Sequence, residues 1–432
     1  MRTHKKYKDS GIEWLGIVPE HWQIRRIKNF LTDTSEVSAT GTEDLLTVSH
    51  ITGVTLRSEK NVNMFLAETN VGYKKCYPGD IIINTMWAWM GALGTCKNAG
   101  ICSPAYNVYR PLPRIEYCAQ YFDYLFRIPN FIIEMTRYSK GIVSSRLRLY
   151  PREFYQIQSI VPPLGEQIAI ANYLDSKTQL IDRKIELLNN KISFYKELRR
   201  SLINKVVCRG LDDSVKLKDS GIDWIGKIPE HWGFYRLKDK FDIYTGNSIS
   251  DKTIYENNIN GLPYIATKDI DIDKGNINYD NGMFIPYAKV NDFKISHERS
   301  SLICIEGASA GKKMGFNTRK SCFVNKLCSI KSKRDNTEDK YFYYQLHSDI
   351  WTIQFFAVLN GMIGGVSVNS LKSFHVIFPP KGEQIEIVKY LDKQTNNIDY
   401  ITNNLYLQID KLQELRKTLI NDVVTGKIKV TE

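Results

Sequence analysis

Three stretches of this sequence carry the residue types of catalysis. Gly307-Ala308-Ser309-Ala310-Gly311-Lys312-Lys313 looks like a phosphate-cradling loop, in which glycine amides and a lysine hold phosphate oxygens. It has three residues between its glycines where that loop has four, and no Ser or Thr follows the lysine, so it reads as a basic loop. Glu338-Asp339-Lys340 has a nuclease-like Glu-x-Lys, but no partner acid stands at the end of a preceding strand, and such tripeptides are common by chance. An amino-methyltransferase grips its flipped base with an Asn/Asp-Pro-Pro-aromatic motif. The Pro-Pro pairs here read Val161-Pro162-Pro163-Leu164 and Phe378-Pro379-Pro380-Lys381, and neither fits.

His21 and His231 invite a catalytic reading because each stands in a Pro-Glu-His-Trp. No serine or cysteine nucleophile is duplicated with them, so a structural role is expected, capping a turn beside the tryptophan. The eight cysteines, Cys76, Cys96, Cys102, Cys118, Cys208, Cys304, Cys322 and Cys328, include no Cys-x-x-Cys pair. A metal site is therefore not expected. Their scatter through apolar stretches suits buried free thiols in a reducing cytoplasm. Met1-Arg2-Thr3-His4-Lys5-Lys6 has no apolar run behind it and does not read as a secretory signal. The most apolar stretch, Asp80 to Gly94, is broken by Asn84 and Thr85 and is too short to span a bilayer.

With these candidates set aside, the elements around them show a duplication, the first thing to seek in a chain of this length. Asp9-Ser10-Gly11-Ile12-Glu13-Trp14-Leu15-Gly16 returns 210 residues later as Asp219-Ser220-Gly221-Ile222-Asp223-Trp224-Ile225-Gly226. Pro19-Glu20-His21-Trp22 returns as Pro229-Glu230-His231-Trp232. Four of the seven tryptophans fall in this block, and so much aromatic area calls for packing against something large. A second block closes each half at an offset of 217. Pro162-Pro163-Leu164-Gly165-Glu166-Gln167-Ile168 matches Pro379-Pro380-Lys381-Gly382-Glu383-Gln384-Ile385, Tyr173-Leu174-Asp175 matches Tyr390-Leu391-Asp392, and Leu202-Ile203-Asn204 matches Leu419-Ile420-Asn421.

The closing blocks have the period of long helices. Leu174, Ile181, Leu188, Tyr195 and Leu202 stand seven apart, and so do Leu391, Ile398, Leu405, Leu412 and Leu419. Ile185, Ile192 and Val206 form a second row. This is the spacing of a coiled-coil seam, and two seams of equal length and period most simply pair with each other. The prolines stop the preceding strand and Gly-Glu-Gln opens the helix. From Glu166 to Asn204 such a helix runs about 58 Å at ~1.5 Å per residue, with a kink near Asp175 or Asp392 left open.

Between the blocks lie two variable stretches. Asp80-Ile81-Ile82-Ile83 and Ser301-Leu302-Ile303-Cys304 read as buried strands, each leading to a loop that closes near Gly94 or Gly315. Tyr121-Phe122 and Tyr124 match Tyr341-Phe342 and Tyr344, Phe131 stands where Trp351 does, and both helical stretches run to a glycine, Gly141 or Gly361. One fold with two different surfaces is the expectation. The layout is a short block at 1–22, a domain at 23–160, a helix at 161–209, the repeated block at 210–232, a second domain at 233–377, and a second helix at 378–432. The fold class is α+β, with two mixed α/β domains separated by two long antiparallel helices in a pseudo-two-fold repeat.

Charge points to the partner. The chain has 59 Lys and Arg against 47 Asp and Glu, a net charge of +12, and nucleic acid is the commonest acidic partner. The two helices together carry only +1, leaving +11 on the variable domains and their joints. A DNA surface belongs there. Candidate contacts are Asn84, Thr85, Trp87 and Trp89 after the first buried strand, and Ser309, Lys312, Lys313 and Arg319 after the second. The tails of the helical stretches add Lys140, Ser144, Arg146 and Arg148, and Ser367 and Asn369. For Trp87 and Trp89 a place in the core competes with one facing a groove, and for the cations a solvated face competes with phosphate contact.

The Gly-Ile-x-Trp-x-Gly…Pro-Glu-His-Trp blocks and the Pro-Pro-x-Gly-Glu-Gln-Ile…Tyr-Leu-Asp helices, in this order over the whole length, resemble the specificity (S) subunit of Type I restriction–modification systems. The resemblance implies two target recognition domains, each reading one half of a bipartite double-stranded DNA site, held apart by two antiparallel helices. It implies that two methyltransferase (M) subunits dock around the repeated blocks and helices and that two motor–nuclease (R) subunits can join. S-adenosylmethionine then belongs to the M subunits and ATP and Mg²⁺ to the R subunits, with no cofactor, catalysis or membrane contact in this chain. The methylated adenine would be flipped into the M subunit. Two other readings stay open from the residues alone: a self-contained DNA methyltransferase or nuclease, and an orphan DNA-binding protein.

Overall fold

A computed structural model describes the chain apart from residues 1–2, 61–68, 144–145, 223–224, 252, 257–259, 336, 360–363 and 432. Trp224, Ser144 and Gly361, singled out above, lie outside the described residues. The chain forms two compact units that do not follow its linear order. One is Met1–Leu188 with Tyr406–Glu432, the other Asn189–Leu405. Each unit takes one variable stretch and half of each long helix, so the spacer helices are not separate bodies.

The first unit is built on an antiparallel four-stranded sheet in the order Leu31–Thr34, Tyr106–Pro111, Ile81–Asn84, Leu93–Thr95. The run Ile81-Ile82-Ile83 lies at its centre, fully buried, because a strand covered on both faces has no polar side to alternate with. Asp80 precedes this strand and is held by the Arg110 guanidinium at 2.9 Å through both oxygens. The second unit repeats the sheet with Phe241–Thr245, Leu327–Ser332, Ser301–Cys304 and Met314–Phe316 in the same order. The shared-fold expectation holds. Gly94 and Gly315 sit within the returning strands. A Cβ on Gly315 would meet the Ile277 side chain at 2.7 Å, which is why the position is bare.

Each helical stretch is two helices instead of one: Ala119–Phe126 and Pro129–Tyr138 in the first unit, Asp339–Gln345 and Asp349–Ala357 in the second. Pro129 starts the second helix of its pair, where its missing N–H costs nothing and the residue before it is pushed out of the helical region. The base of each variable domain is a two-stranded antiparallel ribbon. Gln23–Arg26 pairs with Gln158–Val161, and Gly233–Arg236 pairs with His375–Phe378. Each duplicated short block is a hairpin, Tyr7–Asp9 with Ile17–Pro19 and Leu217–Asp219 with Lys227–Pro229.

The long helices run Leu164–Arg209, 46 residues, and Lys381–Val424, 44 residues. Both are unbroken at Asp175 and Asp392. The first ends at Gly210, whose φ of +80° supplies the left-handed residue that commonly closes a helix, and Gly426 at +76° follows the second. In the first unit, Ile170 and Leu174 of one helix share a core with Leu419 and Val423 of the other, and Arg416 donates to both oxygens of Asp182. In the second, Ile203, Val206 and Val207 share a core with Ile387 and Leu391, and Arg199 lies 3.6 Å from Asp399. In each unit residue number rises along one helix as it falls along the other, so the pairs are antiparallel. All ten expected seam residues are buried or half-buried.

Candidate nucleic-acid interface

The duplicated motifs form the frame. Trp22 is fully buried and its indole Nε1 donates to Glu166 Oε2 at 2.9 Å. His21 Nε2 meets the other oxygen, Oε1, at 2.5 Å. In the second unit Trp232 donates to Glu383 at 3.1 Å and His231 meets its other oxygen at 2.8 Å. The Pro-Glu-His-Trp block is thus tied to the first turn of the long helix, where a carboxylate is favoured by the helix dipole. This corrects the expected turn-capping role: each histidine pairs with a carboxylate about 145 or 152 residues away.

The next residue of Gly-Glu-Gln is also spent on the frame. Buried Gln167 donates to the Pro162 carbonyl at 2.7 Å and accepts from Cys118 N at 2.8 Å. Gln384 does the same with Pro379 O at 2.8 Å and Glu338 N at 2.7 Å. The aspartate of Tyr-Leu-Asp accepts from a tyrosine of the helical stretch, Tyr124 on Asp175 at 2.7 Å and Tyr344 on Asp392. Tyr121, wholly buried, donates to Val424 O at 3.0 Å, and Tyr341 to Val207 O at 3.1 Å. Burial pushes the hydroxyls of Tyr121 and Tyr341 well above their ordinary pKa. They remain donors at any physiological pH.

On this frame the variable loops meet. In the first unit the loop after Ile81–Asn84 contacts the stretch that follows helix Pro129–Tyr138, with Leu149 N donating to Thr85 O at 3.3 Å. In that stretch Lys140 and Arg148 form an antiparallel bridge. Lys140, Arg146 and Arg148 are exposed on it. Trp87, on the loop after Ile81–Asn84, is 49% exposed, whereas Trp89 is half-buried with its indole donating to Met86 O at 3.0 Å. Asn84 and Thr85 are corrections. Both are buried, and their side chains hold the turn, Asn84 by accepting from Met86 N at 3.2 Å and Thr85 by donating to Ala105 O at 3.0 Å.

The second unit builds the same meeting from other residues. Glu306 bridges Gly365, and Val366 N donates to Ile305 O at 2.8 Å. The loop Gly307–Lys313 joins two strands of a hairpin with no helix behind it, so it lacks the helix N-terminus a phosphate loop needs. Lys312 is exposed, while Lys313 is half-buried with Nζ on the Thr267 carbonyl at 2.9 Å. Ser309 is half-buried. Ser367 caps a short helix by accepting from Ser370 N at 3.0 Å, and Asn369 is exposed beside it. Arg319 lies over the Tyr279 ring, 5.0 Å from its centroid.

Other chemistry is occupied or inert. Glu338 caps helix Asp339–Gln345, Asp339 is paired with Lys331 at 2.6 Å, and Lys340 with Asp392 at 2.8 Å. That Glu-x-Lys is a set of structural ion pairs. All eight cysteines are free thiols. Burial pushes Cys96, Cys322 and Cys328 up to about 12, so these stay protonated. Among the described residues one group has metal-ligand chemistry, His4, His21 and Glu166. A search keyed to cysteine pairs passes over it, because its members are 145 residues apart at the widest step. No helix among the described residues is long and apolar enough to cross a membrane.

The family described as "Type I restriction modification DNA specificity domain" matches residues 229–411, from the second short block into the second long helix. The chain is 23% identical over its full length to the MjaIX Type I restriction enzyme specificity subunit of Methanocaldococcus jannaschii, covering 98% of that protein. The chain is thus similar to the Type I specificity subunits. Two further specificity-subunit relatives from the same organism, MjaX and MjaVIII, are 25% and 21% identical over 62% and 64% of the chain. The matches span only 59% and 63% of those two proteins. Among solved structures, the HsdS subunit from Thermoanaerobacter tengcongensis matches 97% of the chain with a TM-score of 0.54 at 18% identity, covering 100% of that chain. A chain from a study of complex assembly in the type I R-M system matches 95% with a TM-score of 0.72 at 17% identity, covering 99% of that chain. At such identity these two likenesses speak for the fold. The fold they share is the mixed α/β architecture described above, and the matched family model is that of a DNA specificity domain.

Proposed function

We propose that this chain reads an asymmetric, split DNA site and directs partner subunits to it, carrying out no chemistry itself. The observation that carries this reading is the contrast within each unit. The buried frame is the same in both, down to Trp22–Glu166 and Trp232–Glu383. The loops that meet upon it carry different side chains, Trp87, Arg146 and Arg148 in one unit and Lys312, Arg319 and Asn369 in the other. A repeated frame with unlike loops is what two readers of unlike half-sites need, because base edges are read by side-chain identity while phosphates need only cations.

In this reading Lys140, Arg146, Arg148 and Lys312 meet phosphates, and Trp87, Asn369 and Arg319 lie nearer base edges. Two weak readers joined in one chain multiply their affinities, since binding of one raises the effective concentration of the other. DNA between the two reading surfaces is left unread. Two M subunits dock on the equivalent faces of the repeated blocks and helices, and two R subunits join them. S-adenosylmethionine binds the M subunits, ATP and Mg²⁺ the R subunits, and the assembly works in the cytoplasm.

The test is reconstitution. The purified chain alone transfers no methyl group to DNA. With its M subunit it forms a complex of two M to one chain by native mass measurement and methylates a defined site. Methyl transfer by the chain alone, or a one-to-one complex that is fully active, contradicts the reading.

A further inference from the structure

Apart from the reading loops, the cluster at the start of the first long helix has unassigned chemistry. His4, His21 and Glu166 each offer one ligand atom, and the three atoms lie within 4.8 Å of one another. The two imidazole centroids are 5.7 Å apart. The His4 ring stands edge-on to the Trp22 indole at 5.9 Å, which limits where it can turn. Glu166 has one oxygen fixed by the Trp22 indole at 2.9 Å, the kind of outer donor that orients a ligating carboxylate. The cluster faces an open cavity of about 450 Å³ whose wall also carries Glu20 and Lys429.

The repeat supplies a comparison inside the same molecule. His231, Trp232 and Glu383 reproduce the pair and its indole donor. Ser214 stands 210 residues after His4, and its hydroxyl is engaged with Asp212 at 2.6 Å. The histidine–glutamate pair therefore serves the frame in both units, and the second imidazole is particular to one.

We propose that His4, His21 and Glu166 bind one zinc ion per chain. Two imidazole nitrogens and a carboxylate oxygen are a ligand set that zinc accepts at about 2.0–2.2 Å, with water completing a tetrahedron. Ligand atoms around such an ion stand roughly 3.3 Å apart by tetrahedral geometry. The 2.5 Å contact between His21 and Glu166 then opens by under about 1 Å, and His4 moves in by no more than about 1.5 Å. Both shifts are within reach of partly exposed side chains. Zinc held here ties the segment before the first hairpin to the helix that frames the first unit. The same wall carries Lys5, Lys6 and Lys429, with Glu20 3.9 Å from Lys6, so Glu166 is the carboxylate left to face the ion.

The experiment uses the full-length chain, stripped with a chelator and titrated with Zn²⁺ by calorimetry, with bound zinc counted by native mass spectrometry. The expected result is one zinc per chain and a melting temperature raised by zinc. His4→Ala and His21→Ala each weaken binding at least about tenfold, since losing a ligand costs no less than losing an outer-shell partner. His231→Ala keeps the single equivalent. His4→Ala leaves the His21–Glu166 and Trp22–Glu166 contacts in place, so its metal-free melt should match that of the unaltered chain even if His21→Ala unfolds. Equal binding by His4→Ala and the unaltered chain, or no stoichiometric zinc, overturns the proposal.

Discussion

The Tyr121 hydroxyl donates to the carbonyl of Val424, 303 residues further along the chain. Its repeat partner Tyr341 reaches Val207 in the same way, 134 residues back. Each variable domain is thus closed by the end of the long helix that belongs, in sequence, to the other half. Replacing Tyr121 with Phe strands a buried carbonyl at a helix end, at a cost of about 1–3 kcal/mol. Amide exchange should rise in Ala119–Phe126 and over the last turn of Lys381–Val424. The second unit should exchange as before. Loosening of both units alike would show that the closure is not local.

The basic loop separates two lysines that adjoin in sequence. Lys312 is exposed, its Nζ 3.3 Å from the Ala308 carbonyl of the same loop, whereas Lys313 is half-buried with its Nζ on Thr267 O. Lys312→Ala should reduce the slope of log affinity against log salt by roughly 0.9, the share of one phosphate on duplex DNA. Lys313→Ala should leave that slope alone and lower the melting temperature of the protein. Equal slope changes for the two variants would place both ammonium groups on the backbone of DNA.

Two neighbouring tryptophans also part company. Trp87 is 49% exposed and Trp89 is half-buried with its indole satisfied. Trp87→Ala should weaken binding to the specific site by about 1–3 kcal/mol, in the range of a base-edge or stacking contact, with an unchanged salt slope and an unchanged melt. Trp89→Ala should lower stability first. A Trp87 variant that binds as tightly as the parent would remove that residue from the interface.

His347 is half-buried in the second unit, with its Nε2 out of solvent contact and without a hydrogen-bond partner among the described residues. Burial, aided by the Arg199 charge, lowers its pKa to about 4. The folded value lies below the unfolded one of about 6.5, so the unfolded chain takes up the proton first. The stability this neutral ring contributes is complete above pH ~6.5 and is lost as pH falls toward 4, by about 2 kcal/mol at pH 5. His347→Leu should therefore flatten the fall in urea midpoint between pH 7 and pH 5. The same fall in the variant would assign it to other groups.

Much of this was legible in the sequence. The seven-residue spacing of Leu174 to Leu202 and Leu391 to Leu419 gave the helices, because a seam must repeat to face one partner. The duplicated Pro-Glu-His-Trp and Gly-Glu-Gln marked the frame, but nothing in their spacing says that Trp22 meets Glu166. Nor does any local pattern say that Tyr121 meets Val424, since contacts that close over hundreds of residues leave no period. The contact residues were least legible. Asn84 and Thr85 are polar and follow a strand, as a DNA-facing pair would. They are also the residue types that satisfy the backbone of a tight turn, and burial decides for the turn.

Under the proposed function each unit reads its own half-site. The ribbon of Gly233–Arg236 with His375–Phe378 marks where one reader can be exchanged. Residues 233–377 are replaced with the matching domain of a Type I specificity subunit that has a different site, and the hybrid is produced with the M subunit. Methylated positions are then mapped across the genome by single-molecule sequencing. One half-site should change while the other half-site sequence stays as in the parent. A change in both half-sites, or in neither, would contradict this reading.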